Sequence, residues 1–244
     1  MNLLVLIKET ISTDQDISKN FKKLKRIVNP YDEYALQKAC ELKEKFGGNI
    51  TTMLLKQDND LYTLKTTLGL GSDKGIQIIS QSNNPRNIAE ILKTEILKNG
   101  EYDFIFTGVK DVNDPKIEIP TRLACLLNLP VLNYVLGMDI INDEIVFNKE
   151  TDDDIEVVKL KKPSIVAFSR NVYEPKYPTI HQIMDIQNKP IVIVNNKDNK
   201  FQDLDLKVTI NKSQRRCEIY KDLISPEEGA EKIINYLKTW TIGE

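Results

Sequence analysis

Short, continuous apolar runs alternate with longer amphipathic segments along the first half of the chain. Such runs are typical of strands that are covered on both faces, as in a parallel sheet. They occupy residues 2–7, 50–55, 76–79 and 104–107, and a further run follows in the second half, at residues 165–168. The segments between them carry apolar side chains at helical spacing, as at Ala35, Ala39, Leu42 and Phe46 and again at Ile88, Ile91, Leu92 and Ile96. This alternation continues to about residue 130 and predicts an α/β fold, a three-layer open, mostly parallel sheet with right-handed crossovers.

The first helix has a clear predicted beginning and end. Asn29 is a residue type that caps helices, and Pro30 supplies the fixed φ favoured in a first turn. Asp32 and Glu33 suit the positive end of the helix dipole. Gly47 marks the end of the helix.

The pattern changes beyond residue 130. Apolar and polar residues there alternate with a period of two, which predicts an antiparallel hairpin insert. The stretches with this period are residues 131–141, 144–147 and 155–160. Polar turns at 142–143 and 150–154 join them.

The last third of the chain is harder to assign. Residues 169–212 show little periodicity, with only a brief apolar strand at 191–194. A final helix begins at a capping box formed by Ser225 and Glu228, and its apolar side chains recur on one face. We predict an α/β domain over residues 1–190 and a C-terminal arm and helix over residues 191–244, which belong to the same domain or dock on a partner.

Charge and hydropathy exclude two classes of partner. The chain has 244 residues, with Lys+Arg 34 against Asp+Glu 36 and a net charge of −2. It lacks the positive excess that releases counterions from a nucleic-acid backbone, so we predict no nucleic-acid partner. It also lacks the run of about 20 apolar residues needed to span a bilayer and a basic leader, so we predict a cytoplasmic protein without a membrane span.

No motif for catalysis or metal binding stands out. Three cysteines, Cys40, Cys125 and Cys217, are too far apart for a zinc, iron–sulfur or dithiol site, and we expect each to be buried or half-buried. His181 is the sole histidine and has no nucleophile beside it. The glycines of residues 69–75 follow a predicted helix and have the wrong spacing for a dinucleotide fingerprint, so they indicate a helix end and a turn. We therefore predict a binding module without an acid–base or nucleophilic centre and without a metal site.

Fold geometry places the ligand. In an open parallel sheet, ligands bind outside the carboxyl ends of the strands at the topological switch point. The loop that begins at Gly108 combines a glycine, polar side chains and exposed backbone amides just before a helix, which suits a phosphate or a nucleotide. A merely polar connecting loop is the alternative interpretation.

Five blocks of sequence, in the same order, resemble the β subunit of electron transfer flavoproteins. They match that family's Val-Lys, Asn-Pro-Phe-x-Glu-x-Ala and Thr-x-(Arg/Lys)-x-x-Leu-x-x-Gly-Ala-Asp-(Arg/Lys) motifs and two later blocks. The corresponding residues here are 5–8, 28–35, 63–76, 123–130 and 174–180. The family fold is an adenine-nucleotide-binding, Rossmann-like form of the sheet described above.

The resemblance implies a heterodimer with an electron transfer flavoprotein α subunit, which holds most of an FAD. The pair passes electrons from an acyl-CoA or other flavin dehydrogenase to an acceptor, so the chain is an electron carrier rather than a catalyst. The β chain of this family binds AMP, or a second FAD in bifurcating members. Carried over, the nucleotide contacts are Leu6, Asn29, Pro30, Tyr31, Asp32, Gly108, Val109, Lys110, Asp111, Val112, Asn113 and Asp114. Residues 177–189 match the loop that binds the dehydrogenase, with Ile180 as its apolar anchor.

One block departs from the family. Where the family loop reads Asp-Asp-x-Asn-Gln-Thr-Gly, this divergent chain has Ile117, Glu118 and Ile119 in place of Asn, Gln and Thr. Loss of these polar groups predicts weak AMP binding. A non-redox adenine-nucleotide sensor therefore remains as an alternative function. An ATP-cleaving enzyme is disfavoured because no pyrophosphate loop follows Ile7.

Overall fold

The computed structural model describes residues 1–12, 24–112, 118–142, 144–169, 177–196, 200–204 and 225–240. In chain order the elements are β1 (Asn2–Ile7), β2 (Glu9–Ile11), β3 (Arg26–Val28), α1 (Pro30–Phe46), β4 (Asn49–Lys56), α2 (Tyr62–Leu70), β5 (Lys74–Ile79), α3 (Pro85–Asn99), β6 (Phe104–Gly108), α4 (Ile119–Leu127), β7 (Val131–Ile141), β8 (Glu144–Glu150), β9 (Ile155–Lys159), β10 (Ser164–Phe168), α5 (Ile180–Asp185), β11 (Ile191–Asn195) and α6 (Pro226–Trp240). A single 3₁₀ turn, Ile186–Asn188, follows α5.

The main sheet contains nine of the strands in the described residues, in the order β11-β5-β4-β1-β6-β10-β7-β8-β9. The seven strands from β11 to β7 are parallel, whereas β8 runs antiparallel to both β7 and β9. The predicted α/β fold class, with its antiparallel insert, is confirmed. Strands β2 and β3 form a separate antiparallel pair. The sequence pattern missed this pair because three residues are too few to show an alternation.

Two apolar layers hold helices on opposite faces of the sheet. Side chains alternate across β1, so Leu3 and Val5 pack in the layer with α1 and α2, whereas Leu4 and Leu6 pack with α3 and α4. All four are buried. Each such side chain stabilises the fold by roughly 1.5–3 kcal/mol relative to exposure. The continuous apolar runs in the sequence therefore reflect strands buried on both faces.

Strand β11 extends the parallel sheet beyond β5, with Val192 opposite Ile76. This position confirms the brief strand expected at residues 191–194. The chain forms two compact units, Met1–Leu206 and Lys207–Glu244. The boundary expected at residue 190 stays a prediction.

The second unit contains α6, which begins at the expected capping box. The Glu228 backbone N–H donates to Ser225 Oγ at 3.2 Å, and the Ser225 N–H donates to the Glu228 carboxylate at 3.3 Å. The apolar side chains Ile233, Ile234 and Leu237 are exposed. No helix in the described ranges is both long and apolar enough to cross a membrane.

Two local details test the sequence reading further. The expected helix end at Gly71 is confirmed, because its φ of +133° is a conformation that favours glycine. Helix α5 was not expected, because six residues are too few for a periodic pattern.

The expectation that all cysteines are at least half-buried is wrong for Cys125, which is exposed, whereas Cys40 is half-buried. Cys125 follows Leu123 and Ala124, which face the core, and Cys217 lies outside the described residues.

Candidate functional site

A cavity of about 630 Å³ opens at the carboxyl ends of β1, β4 and β6. The chain passes from β1 to β4 and β5 on one side, and α3 then carries it to β6 on the other side of β1. The cavity therefore lies at the topological switch point, where open α/β sheets bind ligands. Its volume falls within the range of small-molecule and cofactor sites.

Asp32 joins three elements at the floor of this cavity. Its Oδ1 accepts a hydrogen bond of 2.6 Å from the Gly108 N–H at the end of β6. Its Oδ2 accepts from the Lys8 N–H, just after β1, at 2.8 Å and from Asn29 Nδ2 at 3.1 Å. The side chain belongs to the first turn of α1 but points into the protein, where it is 3% exposed. The sequence analysis assigned Asp32 to the helix dipole and, through the family resemblance, to the nucleotide. The structure adds the hydrogen bonds by which Asp32 joins α1 to the ends of β1 and β6.

The protonation of Asp32 is balanced between opposing effects. Burial raises the pKa of the carboxyl to about 7, and the nearby charge of Asp111 adds to the increase. The N–H groups of Lys8 and Gly108 and the Asn29 amide lower the pKa because they stabilise the charged form. The carboxyl therefore titrates near neutral pH, far above the ordinary range of an aspartate.

Gly108 permits the close approach of β6 to α1. A Cβ atom at this position would lie 2.5 Å from Tyr31 Cβ and 2.7 Å from Asp32 Oδ1. Tyr31 Cβ is attached directly to the backbone, and Asp32 Oδ1 is held by its hydrogen bond to Gly108, so a larger residue displaces the first turn of α1. The requirement for glycine here comes from packing rather than from an unusual φ.

The predicted beginning of α1 is confirmed, with Asn29 at the N-cap position and Pro30 as the first helical residue, but the Asn29 side chain makes no capping hydrogen bond. Instead, Nδ2 donates to Asp32 and to the Lys110 carbonyl, the latter at 2.9 Å. These two acceptors fix the orientation of the amide. The acceptor Oδ1 is consequently left buried without a hydrogen-bond partner in the described structure, although the residue lines the cavity. A buried unpaired acceptor is costly, and a ligand that donates a hydrogen bond removes this cost.

Ion pairs surround the floor on the β2–β3 side. Lys8 Nζ lies 2.8 Å from Asp111 Oδ2, and Thr10 donates to Asp111 Oδ1 at 2.7 Å. Nearby, the buried Lys56 ammonium lies 2.9 Å from Glu9 Oε1. Burial alone raises the pKa of Glu9, but hydrogen bonds from Thr63, Arg26 and Lys56 outweigh it, so the pKa lies below its ordinary value.

The cavity wall carries positive charge suited to an anionic group. Arg86 and Lys110 have no carboxylate partner among the residues the structure describes, and their cationic groups lie 5.7 Å from the ring centres of Phe201 and Tyr31, respectively. Glu118 also lines the cavity, but the Arg122 guanidinium pairs with it at 3.1 Å and offsets its charge. The described wall can therefore receive a phosphate.

The residues expected from the sequence are brought together in part. Those that line the cavity are Leu6, Asn29, Asp32, Gly108, Val109, Lys110 and Asp111. The lining residues in the described ranges do not include Pro30, Tyr31 or Val112. Asn113, Asp114 and Ile117 lie outside the described residues.

The sequence analysis did not predict the part of the cavity wall that lies at the beginning of α3. Asn83, Asn84, Arg86 and Leu204 all line the cavity there. Asn83 and Asn84 lie in the loop after β5, and Arg86 lies in the first turn of α3, so the carboxyl end of β5 was an available signal. Leu204 gave no signal, because it reaches the cavity from a distant part of the chain.

Ile180 lies at the start of α5 and is 76% exposed. Thr179 and Gln182 form a capping box beneath it, with hydrogen bonds of 2.8 and 3.3 Å. The segment is fixed to α2, because Lys189 Nζ donates to the Leu68 carbonyl at 2.8 Å. The isoleucine is therefore presented on a short, anchored helix.

Comparisons with known proteins agree with this architecture. The sequence model of the electron transfer flavoprotein domain matches residues 21–199. The electron transfer flavoprotein subunit beta of Bacillus subtilis is 30% identical over 215 residues, which cover 84% of this chain and 81% of that protein. The corresponding subunit of Syntrophomonas wolfei is 27% identical and covers 78% of each chain. The acryloyl-CoA reductase electron transfer subunit gamma of Anaerotignum propionicum is 22% identical and covers 94% of this chain and 90% of that protein. The chain thus belongs to the β-subunit family of electron transfer flavoproteins.

Proposed function

We propose that this chain pairs with an electron transfer flavoprotein α subunit that holds most of an FAD. The heterodimer carries electrons from a dehydrogenase to an acceptor in the cytoplasm. The family match over residues 21–199 carries this proposal. When bound, the FAD supplies the reversible uptake and release of electrons, and this chain supplies binding and orientation.

The dehydrogenase partner acts on an acyl-CoA or on another substrate of flavin dehydrogenases. The similarity to an acryloyl-CoA reductase electron transfer subunit supports a CoA-thioester enzyme as the partner. Ile180 is the anchor that enters the partner, because it is a large apolar side chain held out on a capped helix. Buried apolar anchors of this kind dominate many interfaces.

The cavity takes an adenine nucleotide, either AMP or the adenylate part of a second FAD. Asn29 Oδ1 is a buried acceptor that suits an amino or hydroxyl donor of the ligand. Lys110 and Arg86 provide the charge for a phosphate. Replacement of the family's polar loop side chains by Ile117, Glu118 and Ile119 weakens this site without removing the described contacts.

Co-expression with an α subunit from the same genome tests the redox proposal. We expect a yellow heterodimer with one flavin, and a colourless chain when it is expressed alone. Two flavins per heterodimer instead place the chain with the bifurcating members of the family. Strong flavin absorbance in the isolated chain, or no flavin complex with the α subunit, contradicts the proposal.

A non-redox adenine-nucleotide sensor is the second candidate, favoured by the cavity and its unpaired Asn29 acceptor. The same preparation separates the two functions. A sensor binds AMP as an isolated chain and forms no flavin complex with an α subunit. An electron carrier forms that complex whether or not AMP binds.

A further inference from the structure

Residues 200–204, here called the strap, lie against the loop that follows β5. The side-chain amide of Asn83 holds one end of the strap through both its nitrogen and its oxygen. Its Nδ2 donates to the Leu204 carbonyl at 2.8 Å, and its Oδ1 accepts from the Leu204 N–H at 2.7 Å. The side-chain amide therefore pairs with a backbone unit as a neighbouring strand would.

Asn87 holds the other end in the same way. Its Nδ2 donates to the Phe201 carbonyl at 2.7 Å, and its Oδ1 accepts from the Phe201 N–H at 2.9 Å. Asn87 is 1% exposed, and Ser82 Oγ accepts a further hydrogen bond of 3.0 Å from its amide. The two asparagines thus give the strap the hydrogen bonds of a β ladder without a partner strand.

The middle of the strap is also bound. Asn84 Nδ2 donates to the Gln202 carbonyl at 2.7 Å. Ser82 Oγ donates to Asp203 Oδ1 at 2.6 Å, and the Asn83 N–H donates to the same oxygen at 3.1 Å. The strap is therefore held through the backbone of Phe201, Gln202 and Leu204 and through the side chain of Asp203.

The strap and the cavity share a wall. Leu204, Asn83 and Arg86 all line the cavity, and the Arg86 guanidinium also lies over the Phe201 ring. Asn87 is not among the lining residues of the described structure. The hydrogen bonds of its side-chain amide join it to the strap and to Ser82.

We propose that Asn83 and Asn87 are positioning residues of the nucleotide cavity, and that docking of the strap and binding of an adenine nucleotide are coupled. This inference rests on the proposed nucleotide site. A ligand in the cavity contacts a complete wall only when the strap is docked, so docking favours the ligand. By thermodynamic linkage, the ligand then favours docking to the same extent.

Asn87→Ala in the full chain tests the coupling, with AMP and FAD as the probes. We expect amide hydrogen exchange in residues 200–204 to become at least tenfold faster and the AMP dissociation constant to rise at least fivefold. In the unsubstituted chain, AMP or FAD slows the same exchange at least fivefold. Glu90→Gln is the matched control on α3, because it removes only the exposed ion pair with Lys200 and leaves the backbone pairing intact.

Asn87→Asp provides a second variant if the alanine variant does not fold. The carboxylate still accepts from the Phe201 N–H but no longer donates to its carbonyl, so half of the pairing is lost. Faster strap exchange with unchanged nucleotide affinity overturns the coupling. Absence of any AMP or FAD effect on strap exchange also overturns it, whereas a yellow heterodimer in that case leaves the electron-transfer proposal standing.

Discussion

The Gly108 N–H and the Asp32 carboxylate are joined by a hydrogen bond of 2.6 Å. Because Asp32 also accepts from the Lys8 N–H, the ends of β1 and β6 are held to the first turn of α1 through one side chain. The three elements that form the floor of the cavity are therefore connected by hydrogen bonds to the same carboxylate. Changes at either residue are expected to affect both stability and ligand binding.

Gly108→Ala tests this close approach. The added Cβ meets Tyr31 Cβ and Asp32 Oδ1 within 2.7 Å, so the first turn of α1 must shift. We predict a loss of about 1–3 kcal/mol in the free energy of unfolding, measured by urea titration. Gly137→Ala is the control, because its Cβ meets Tyr34 at an ordinary 3.5 Å. Equal free energies of unfolding for the two variants would show that the first turn of α1 moves away from the added Cβ without cost.

The raised pKa of Asp32, about 7, predicts a pH-dependent stability. The unfolded carboxyl releases its proton near pH 4, whereas the folded one keeps it to near pH 7. The folded state thus binds more protons in this window, so the free energy of unfolding falls as pH rises from about 4 to 7. One proton corresponds to at most about 1.4 kcal/mol per pH unit.

Unfolding of Asp32→Asn at several pH values measures this contribution. We expect a smaller decrease with rising pH than in the unsubstituted chain, whatever the absolute stability of the variant. Asp153→Asn, in the exposed turn after β8, should leave the slope unchanged. Identical slopes in all three proteins would mean that Asp32 is ionised throughout this range.

Ile180→Ala tests the proposed partner anchor. We predict that binding of the partner dehydrogenase weakens by about 2 kcal/mol or more, measured as co-purification and electron-transfer rate. Leu97→Ala removes a similarly exposed apolar side chain from α3 and should have no effect. If the Ile180 variant keeps full binding and transfer, the α5 segment is not the docking element.

The altered loop predicts weak AMP binding. Three lost polar contacts at about 0.5–1.5 kcal/mol each sum to a few kcal/mol, and 2.7 kcal/mol corresponds to about 100-fold in affinity. We therefore expect AMP to bind at least about 100-fold more weakly than to a protein with the intact family loop. Calorimetric titration checks this, and Ile117→Asn combined with Glu118→Gln and Ile119→Thr should tighten binding. Micromolar or tighter affinity in the unsubstituted chain contradicts the prediction.

The sheet was predictable because strands that are buried on both faces have continuously apolar sequences. Leu3 to Ile7 can be continuously apolar only if helices cover both sides of the strand. The carboxyl ends of the strands then follow from topology, which located the loop at Gly108. Order along the chain and apolar spacing were sufficient for this part of the site.

The remaining part of the site depends on contacts between distant residues. Asn29 was expected to cap the helix because residue type is a local signal. Its side-chain amide instead donates a hydrogen bond to the Lys110 carbonyl, 81 positions away. Asn83 meets Leu204 across 121 positions, and no periodic pattern reports such a pairing. Local rules fail where side-chain amides are used for tertiary structure.

The anchoring of α5 bears on how fast a redox carrier can work. The Thr179 capping box and the hydrogen bond from Lys189 to the Leu68 carbonyl hold the backbone under Ile180 in the chain without a partner. In the proposed docking, a dehydrogenase would meet a surface that needs little ordering on contact, so the complex would form without a slow folding step. Under that proposal, fast formation of each complex would let one carrier molecule serve many turnovers.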